Sequence, residues 1–187
     1  MKSRPLLALL LLAVLVGGST GWFYYDWREH REDKLIHAAA RQYGVEPALV
    51  KAVMWRESWF NPKVRGGKGE LGLMQITAPA ANEWAEAERI KTFQPEHLLN
   101  PVTNAYAGTF YLGKLLKRYP RADNRVPYAL ADYNAGRTHV LRWSKGAAAT
   151  NSAAFLEAMD FPGTRAYILA IMRRRLHYVD DFPPSKN

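Results

Sequence analysis

From Leu35 onward the apolar residues recur at helical rather than strand spacing. Leu35 to Tyr43 reads as a short amphipathic helix with Gly44 as its C-terminal stop. Between Val45 and Phe60, Leu49, Val50, Val53 and Met54 fall on one helical face, and Pro47 suits a first turn. Asn61-Pro62 ends that helix, because a residue before proline is pushed out of the α region. Val64 to Ile76 holds four glycines and a β-branched end, the pattern of a loop or small β-hairpin. Pro79 opens a helix that contains Trp84 and runs to about Ile90. Asn100-Pro101 is an N-cap and first-turn pair for the longest helix of this stretch, to about Tyr119, with Val102, Tyr106, Phe110 and Leu116 on its apolar stripe. Pro127 starts a short helix ending at Asn134-Ala135-Gly136, and Thr138 to Trp143 is another. Ala147 to Ala154 is compositionally biased and reads as a mobile connection. Thr164 to Tyr178 closes the domain. The pattern predicts a mainly α, single helical domain with one small loop or hairpin and no internal repeat.

The N-terminus breaks the amphipathic pattern. Lys2 and Arg4 precede an unbroken apolar run, Leu6 to Val16, followed by Gly17-Gly18-Ser19-Thr20-Gly21 and Trp22-Phe23-Tyr24-Tyr25. A cleaved signal peptide has this charged start and short apolar core. A retained anchor also fits: Leu6 to Tyr25 is about the length that crosses a bilayer core, with aromatic residues at the outer interface and basic residues left inside. No alanine-type small-x-small cleavage site stands out, which favours the anchor. Either way the domain is exported to the cell envelope, at the periplasmic face of the inner membrane or free in the periplasm. Residues 1–34 are thus signal-anchor and spacer, 35–179 the folded domain and 180–187 a frayed tail.

Composition narrows the chemistry. There is no cysteine, so no disulfide framework, thiol nucleophile or lipoprotein anchor exists. The five histidines form no pair with metal-ligand spacing, and no metal or cofactor is expected. The net charge is +9, and 21 basic against 13 acidic side chains after residue 34 leave +8 on the domain. Such a domain is drawn to anionic polymers or membrane surfaces. Lys114-Lys117-Arg118-Arg121 and Arg173-Arg174-Arg175 read as solvated helix faces. An exported chain without a nucleic-acid motif points away from DNA or RNA.

One acidic residue is unusually placed. Glu57 lies seven residues after Val50, four after Val53 and three after Met54, on the face that should be buried and near the negative end of a helix dipole. Burial and dipole both disfavour ionisation, which suits a general acid working near neutral pH; a plain surface glutamate is the other reading. Glu57-Ser58-x-Phe60-Asn61-Pro62, then Gly72-Leu73-Met74-Gln75, Pro101-x-x-Asn104-x-x-x-Gly108-x-x-Tyr111-Leu112, Tyr133-Asn134-Ala135-Gly136 and Thr164-Arg165-Ala166-Tyr167-Ile168 follow in order. Together they closely resemble the soluble-type lytic transglycosylases, relatives of goose-type lysozyme, from about Leu35 to Arg175.

The resemblance implies an α+β lysozyme-like fold, the hairpin bordering a cleft, and peptidoglycan glycan strands as partner. It implies that Glu57 acts first as acid and then as base. It also implies that Ser58, Met74, Gln75, Tyr133, Asn134 and Tyr167 surround the sugar or the Glu57 carboxyl. Two positions depart from the pattern. Gly163 stands where the late motif usually has glutamate. Glu70 stands where small residues are common, bringing a second carboxylate to the cleft loop. Glu70 either braces the loop, through its amides or an ion pair with Arg65 or Lys68, or activates water. The alternatives are therefore a hydrolytic muramidase or chitinase with Glu70 as base, and a non-catalytic wall-binding protein. No protein partner is readable from the chain.

Overall fold

A computed structural model describes residues 3–183, with side chains described from residue 11. Lys2 of the basic N-terminal pair and residues 184–187 of the expected tail lie outside the described residues, as do the side chains of Arg4 and of Leu6 to Leu10. The chain forms two compact units, Met1–Glu32 and Asp33–Asn187.

The first unit is one helix, α1 (Ser3–His30). Its small polar residues are accommodated by back-bonding: the hydroxyls of Ser19 and Thr20 donate to the carbonyls of Leu15 and Val16 four residues earlier. Trp22, Phe23, Tyr24, Tyr25 and Trp27 are all exposed. Among the described residues, no helix is long and apolar enough to cross a membrane.

The second unit is a bundle of α2 (Asp33–Tyr43), α3 (Pro47–Ser58), α4 (Ala78–Ala87), α5 (Pro101–Arg118), α6 (Arg125–Ala135), α7 (Arg137–Trp143), α8 (Ser152–Glu157) and α9 (Pro162–Tyr178). Helix α3 is its axis: every residue from Ala48 to Met54 is buried, and it packs against α9 and α2. Its end comes earlier than Asn61-Pro62 requires. Trp59 and Phe60 adopt φ of 51° and 57°, so the helix stops at Ser58. Bulky residues rarely occupy the left-handed region. Here Phe60 is held in it by burial.

Four expectations need correction. The stripe expected on α5 holds only in part: Tyr106, Phe110 and Leu116 are half-buried against the core, but Val102 is 54% exposed and the fully buried face lies beside them. The buried face instead carries small residues, among them Ala105, Ala107, Gly108 and Gly113, which let neighbouring segments approach the helix axis. A Cβ on Gly108 would lie 2.5 Å from Met74 Sδ. The expected hairpin is a turn-rich loop with two isolated antiparallel bridges, Arg65 to Leu71 and Leu71 to Ile76, and no named strand occurs among the described residues. Ala147 to Ala154 is not a loose connection. A 3-10 turn (Gly146–Ala149) leads into α8, the Asn151 side chain caps the Ala154 amide, and Phe155 is fully buried with its ring stacked 4.0 Å from that of Tyr128. The start of the tail is also tied down: Val179–Asp181 form a 3-10 turn, and Asp181 pairs at 2.7 Å with Lys51, a fully buried lysine that also meets Asp33 at 2.6 Å.

Candidate active site

Glu57 is in the last turn of α3, at the mouth of a cleft of about 260 Å³. The packing of α3 on α9 brings Tyr167 beneath it, and the Tyr167 hydroxyl donates to Glu57 Oε1 at 2.6 Å. The Glu57 carboxyl is pushed above the usual carboxylate range. Burial is the main cause and the nearby charge of Glu70 adds to it, while the Tyr167 hydrogen bond and the Arg56 guanidinium pull the other way. Tyr167 is itself held well above the ordinary phenol range by burial and by the Glu57 charge, so it stays a donor. Burial and the same charge act on Tyr133, whose hydroxyl donates to the Met74 carbonyl at 2.7 Å.

The loop between α3 and α4 forms the opposite wall, and one buried amide holds it. Asn104 of α5 is fully buried; its Oδ1 accepts from the Met74 amide at 2.7 Å, and its Nδ2 donates to the carbonyls of Leu71 at 2.7 Å and Leu98 at 2.8 Å. Gly72 is at φ 75°, and a Cβ there would collide with the Asn104 amide and the Leu98 carbonyl. No residue but glycine fits that approach.

The expected site residues separate into three groups. Glu57, Glu70, Gln75, Tyr133 and Asn134 line the cleft together. Tyr167 lies behind, bonded to Glu57. Ser58 and Met74, expected at the sugar, are instead inside: the Ser58 hydroxyl donates to the Leu73 carbonyl at 2.7 Å, and the Met74 side chain is fully buried against Gly108. Both support the loop. Gln75 also differs from expectation. It sits at φ 46°, and its amide donates to Val64 O at 3.1 Å and Gly72 O at 2.9 Å, so its donors brace the loop and its oxygen faces Gly66. Asn134 Oδ1 accepts from the Thr164 hydroxyl of α9 at 2.9 Å. Glu70 both braces and lines: its Oε2 accepts from the Lys68 amide at 2.8 Å, with no ion pair to Arg65 or Lys68 among the described residues, yet its head borders the same cleft as Glu57. Asn104 and Thr164 stood in the matched blocks without an assigned role. A polar residue set among Ala and Gly on a helix face was the available signal for Asn104.

The lining set therefore offers one desolvated carboxyl, a second carboxylate, two amides and a phenol. The family model of the transglycosylase SLT domain matches residues 34–156. The chain is 36% identical to the membrane-bound lytic murein transglycosylase C of Yersinia enterocolitica over 64% of this chain and 35% of that protein. It is 32% identical to the soluble lytic murein transglycosylase of Salmonella typhimurium over 72% of this chain and 21% of that protein. The chain thus spans about a third or less of the length of these relatives. Among solved structures, an inactive mutant of the lytic transglycosylase Slt from Pseudomonas aeruginosa superposes with a TM-score of 0.72 at 25% identity, over 81% of this chain and 24% of that one. A complex of the 70-kDa soluble lytic transglycosylase with bulgecin A does so at 0.72 and 27% identity, over 89% of this chain and 27% of that one. By a match that spans most of its length, and by a fold shared with those structures, the chain belongs to the transglycosylase SLT domain family.

Proposed function

We propose that the chain is a peptidoglycan lytic transglycosylase that cleaves the β-1,4 bond between N-acetylmuramic acid and N-acetylglucosamine. The observation that carries the reading is Glu57: a carboxyl at the cleft, its proton affinity raised by burial, with a phenol donor on one oxygen. Protonated Glu57 gives its proton to the glycosidic oxygen as the bond to C1 breaks. The substrate's own 2-acetamido carbonyl supports the cationic centre. Glu57, now ionised and held by Tyr167, takes the proton of the C6 hydroxyl, and the C6 oxygen closes on C1 to a 1,6-anhydro ring. One group gives a proton and recovers it, so its affinity must lie near ambient pH. Asn134 and Tyr133 border the sugar; Ser58, Met74 and Gln75 hold the wall that shapes it. Residues 35–179 are the catalytic domain.

The N-terminal segment serves as a membrane anchor that places this domain at the periplasmic face of the inner membrane. The apolar run Leu6 to Val16 in the sequence and the aromatic residues after it support that reading. Sequencing the N-terminus of protein from its native envelope tests it; a start near Thr20 or Trp22 means a cleaved signal. Glu70 in the cleft supports a second reading, hydrolysis with Glu70 as base. Mass spectrometry of products from purified peptidoglycan separates the two. Anhydro ends are expected, reducing ends mean hydrolysis, and no products mean a binding protein.

A further inference from the structure

In the proposed transglycosylase step Glu70 transfers no proton, yet the fold fixes its position. Its Oε2 is tied to the Lys68 amide, and its head lies so close over Gly66 that a Cβ there would strike Oε2. Gln75 Oε1 presses on the same point, 2.9 Å from it. Among the described residues that line this cleft none is lysine, arginine or histidine; Arg56, the neighbour of Glu57 on α3, acts on its carboxyl from outside that lining. We propose that Glu70 is a positioning residue for the catalytic proton: its carboxylate, fixed on the loop, makes the cleft unfavourable for a second negative charge and so keeps the proton on Glu57. This rests on the transglycosylase reading and deepens it.

A negative charge near a carboxyl disfavours its ionisation. Glu57 is raised by burial first, and the charge of Glu70 adds to that. Glu70 is the one anchored by a backbone amide, a contact that suits a carboxylate. The other groups facing Glu57 are Tyr167 of α9, which bonds it, Tyr133 of α6, and Arg56 of its own helix, whose guanidinium lies over the Tyr167 ring at 5.5 Å. Only Glu70 among these adds negative charge at neutral pH. A protonated acid is required at the start of each turnover, so the rate falls as pH rises through the Glu57 value. Glu70 pushes that alkaline limb upward.

The test is the pH profile of anhydro-end formation by the full chain on purified peptidoglycan. Glu70→Gln keeps the acceptor for the Lys68 amide and removes the charge. The expected result is an alkaline limb displaced to lower pH, with a loss of rate that is larger above the limb than on its acid side. Glu70→Asp, which restores the charge, should return the limb toward its original position. Glu70→Ala removes the charge by a different route and stands in if Glu70→Gln does not fold. An unmoved limb in the folded variant, or an equal loss at every pH, overturns the proposal. So does a wild-type protein whose reducing ends vanish with Glu70→Gln, because Glu70 then activates water. A wild-type protein that forms no anhydro ends refutes the transglycosylase reading itself, independently of where any limb lies.

Discussion

Asn104 allows the hold on the cleft loop to be measured directly. Replacing it with alanine removes three buried hydrogen bonds, to the Met74 amide and the Leu71 and Leu98 carbonyls. Its side chain is fully buried, so the backbone groups left behind cannot simply turn to water. The Leu71 carbonyl still accepts from the Ile76 amide, so two groups are orphaned, the Met74 amide and the Leu98 carbonyl; at about 1–3 kcal/mol each, partly relaxed, they cost about 2–5 kcal/mol. Against a domain stability of about 5–15 kcal/mol that is a large fraction. For a domain of this size the same loss lowers Tm by roughly 4–20 °C. Urea unfolding followed by tryptophan fluorescence gives the number, with Asn104→Asp as control. Aspartate keeps the acceptor for Met74 but turns an oxygen toward two carbonyls, so it should be no better than alanine. An Asn104→Ala protein within about 1 kcal/mol of the parent would refute the argument and mean that the loop is held by its own turns.

Glu57→Gln should lower turnover by at least ~100-fold. A carboxyl raised on folding adds stability only while protonated, and loses it as pH rises through the raised value. The variant should therefore match the parent in acid unfolding and exceed it above neutrality, as paired denaturation curves at two pH values would show. Tyr167→Phe removes the hydrogen bond that favours ionised Glu57, so the alkaline limb of activity should move to higher pH while the maximal rate falls; a limb that moves down contradicts the assignment. Lys51→Met removes the buried ammonium from two carboxylates that are 25% and 22% exposed; with solvent screening the expected loss is about 2–4 kcal/mol, read by urea unfolding. Gly108→Ala sets a methyl 2.8 Å from Met74 Cβ, which cannot swing away as a side-chain tip can, so about 1–3 kcal/mol and some activity should be lost together.

The helix that carries Glu57 was legible because its signals are local: proline in the first turn, apolar residues three and four apart, Asn61-Pro62 beyond its end. Its true end was not, since Trp59 and Phe60 take left-handed backbone that only the burial of Phe60 makes tolerable. Helix α5 shows a different failure. Hydrophobic periodicity finds faces of uniform bulk, whereas this face sets Ala, Gly and Asn104 beside Leu112 and Leu115, so a stripe drawn through Val102 misses it. At the site, residue types were readable but the direction of their hydrogen bonds was not. Gln75, Ser58 and Tyr133 stand in the expected motifs, yet each gives its donors to loop backbone. Likewise, alanine-rich composition hid Phe155 as an anchor, and no local rule indicates that Lys51 will find carboxylates 18 residues before it and 130 after it.

The distribution of charge joins these points. The chain carries +9, and none of that positive charge lines the cleft. In the proposed mechanism a lysine or arginine on that lining would add to the effect of Arg56, favour ionised Glu57 and oppose the first proton transfer, whatever it added to the attraction for an anionic polymer. Long-range attraction needs no contact: several basic groups spread over other faces raise the local concentration of an anionic polymer from a Debye length away. Proton affinity, by contrast, is decided within a few ångströms. Keeping the basic residues outside and a second carboxylate inside lets one domain satisfy both requirements, since screening by solvent and salt separates the two ranges.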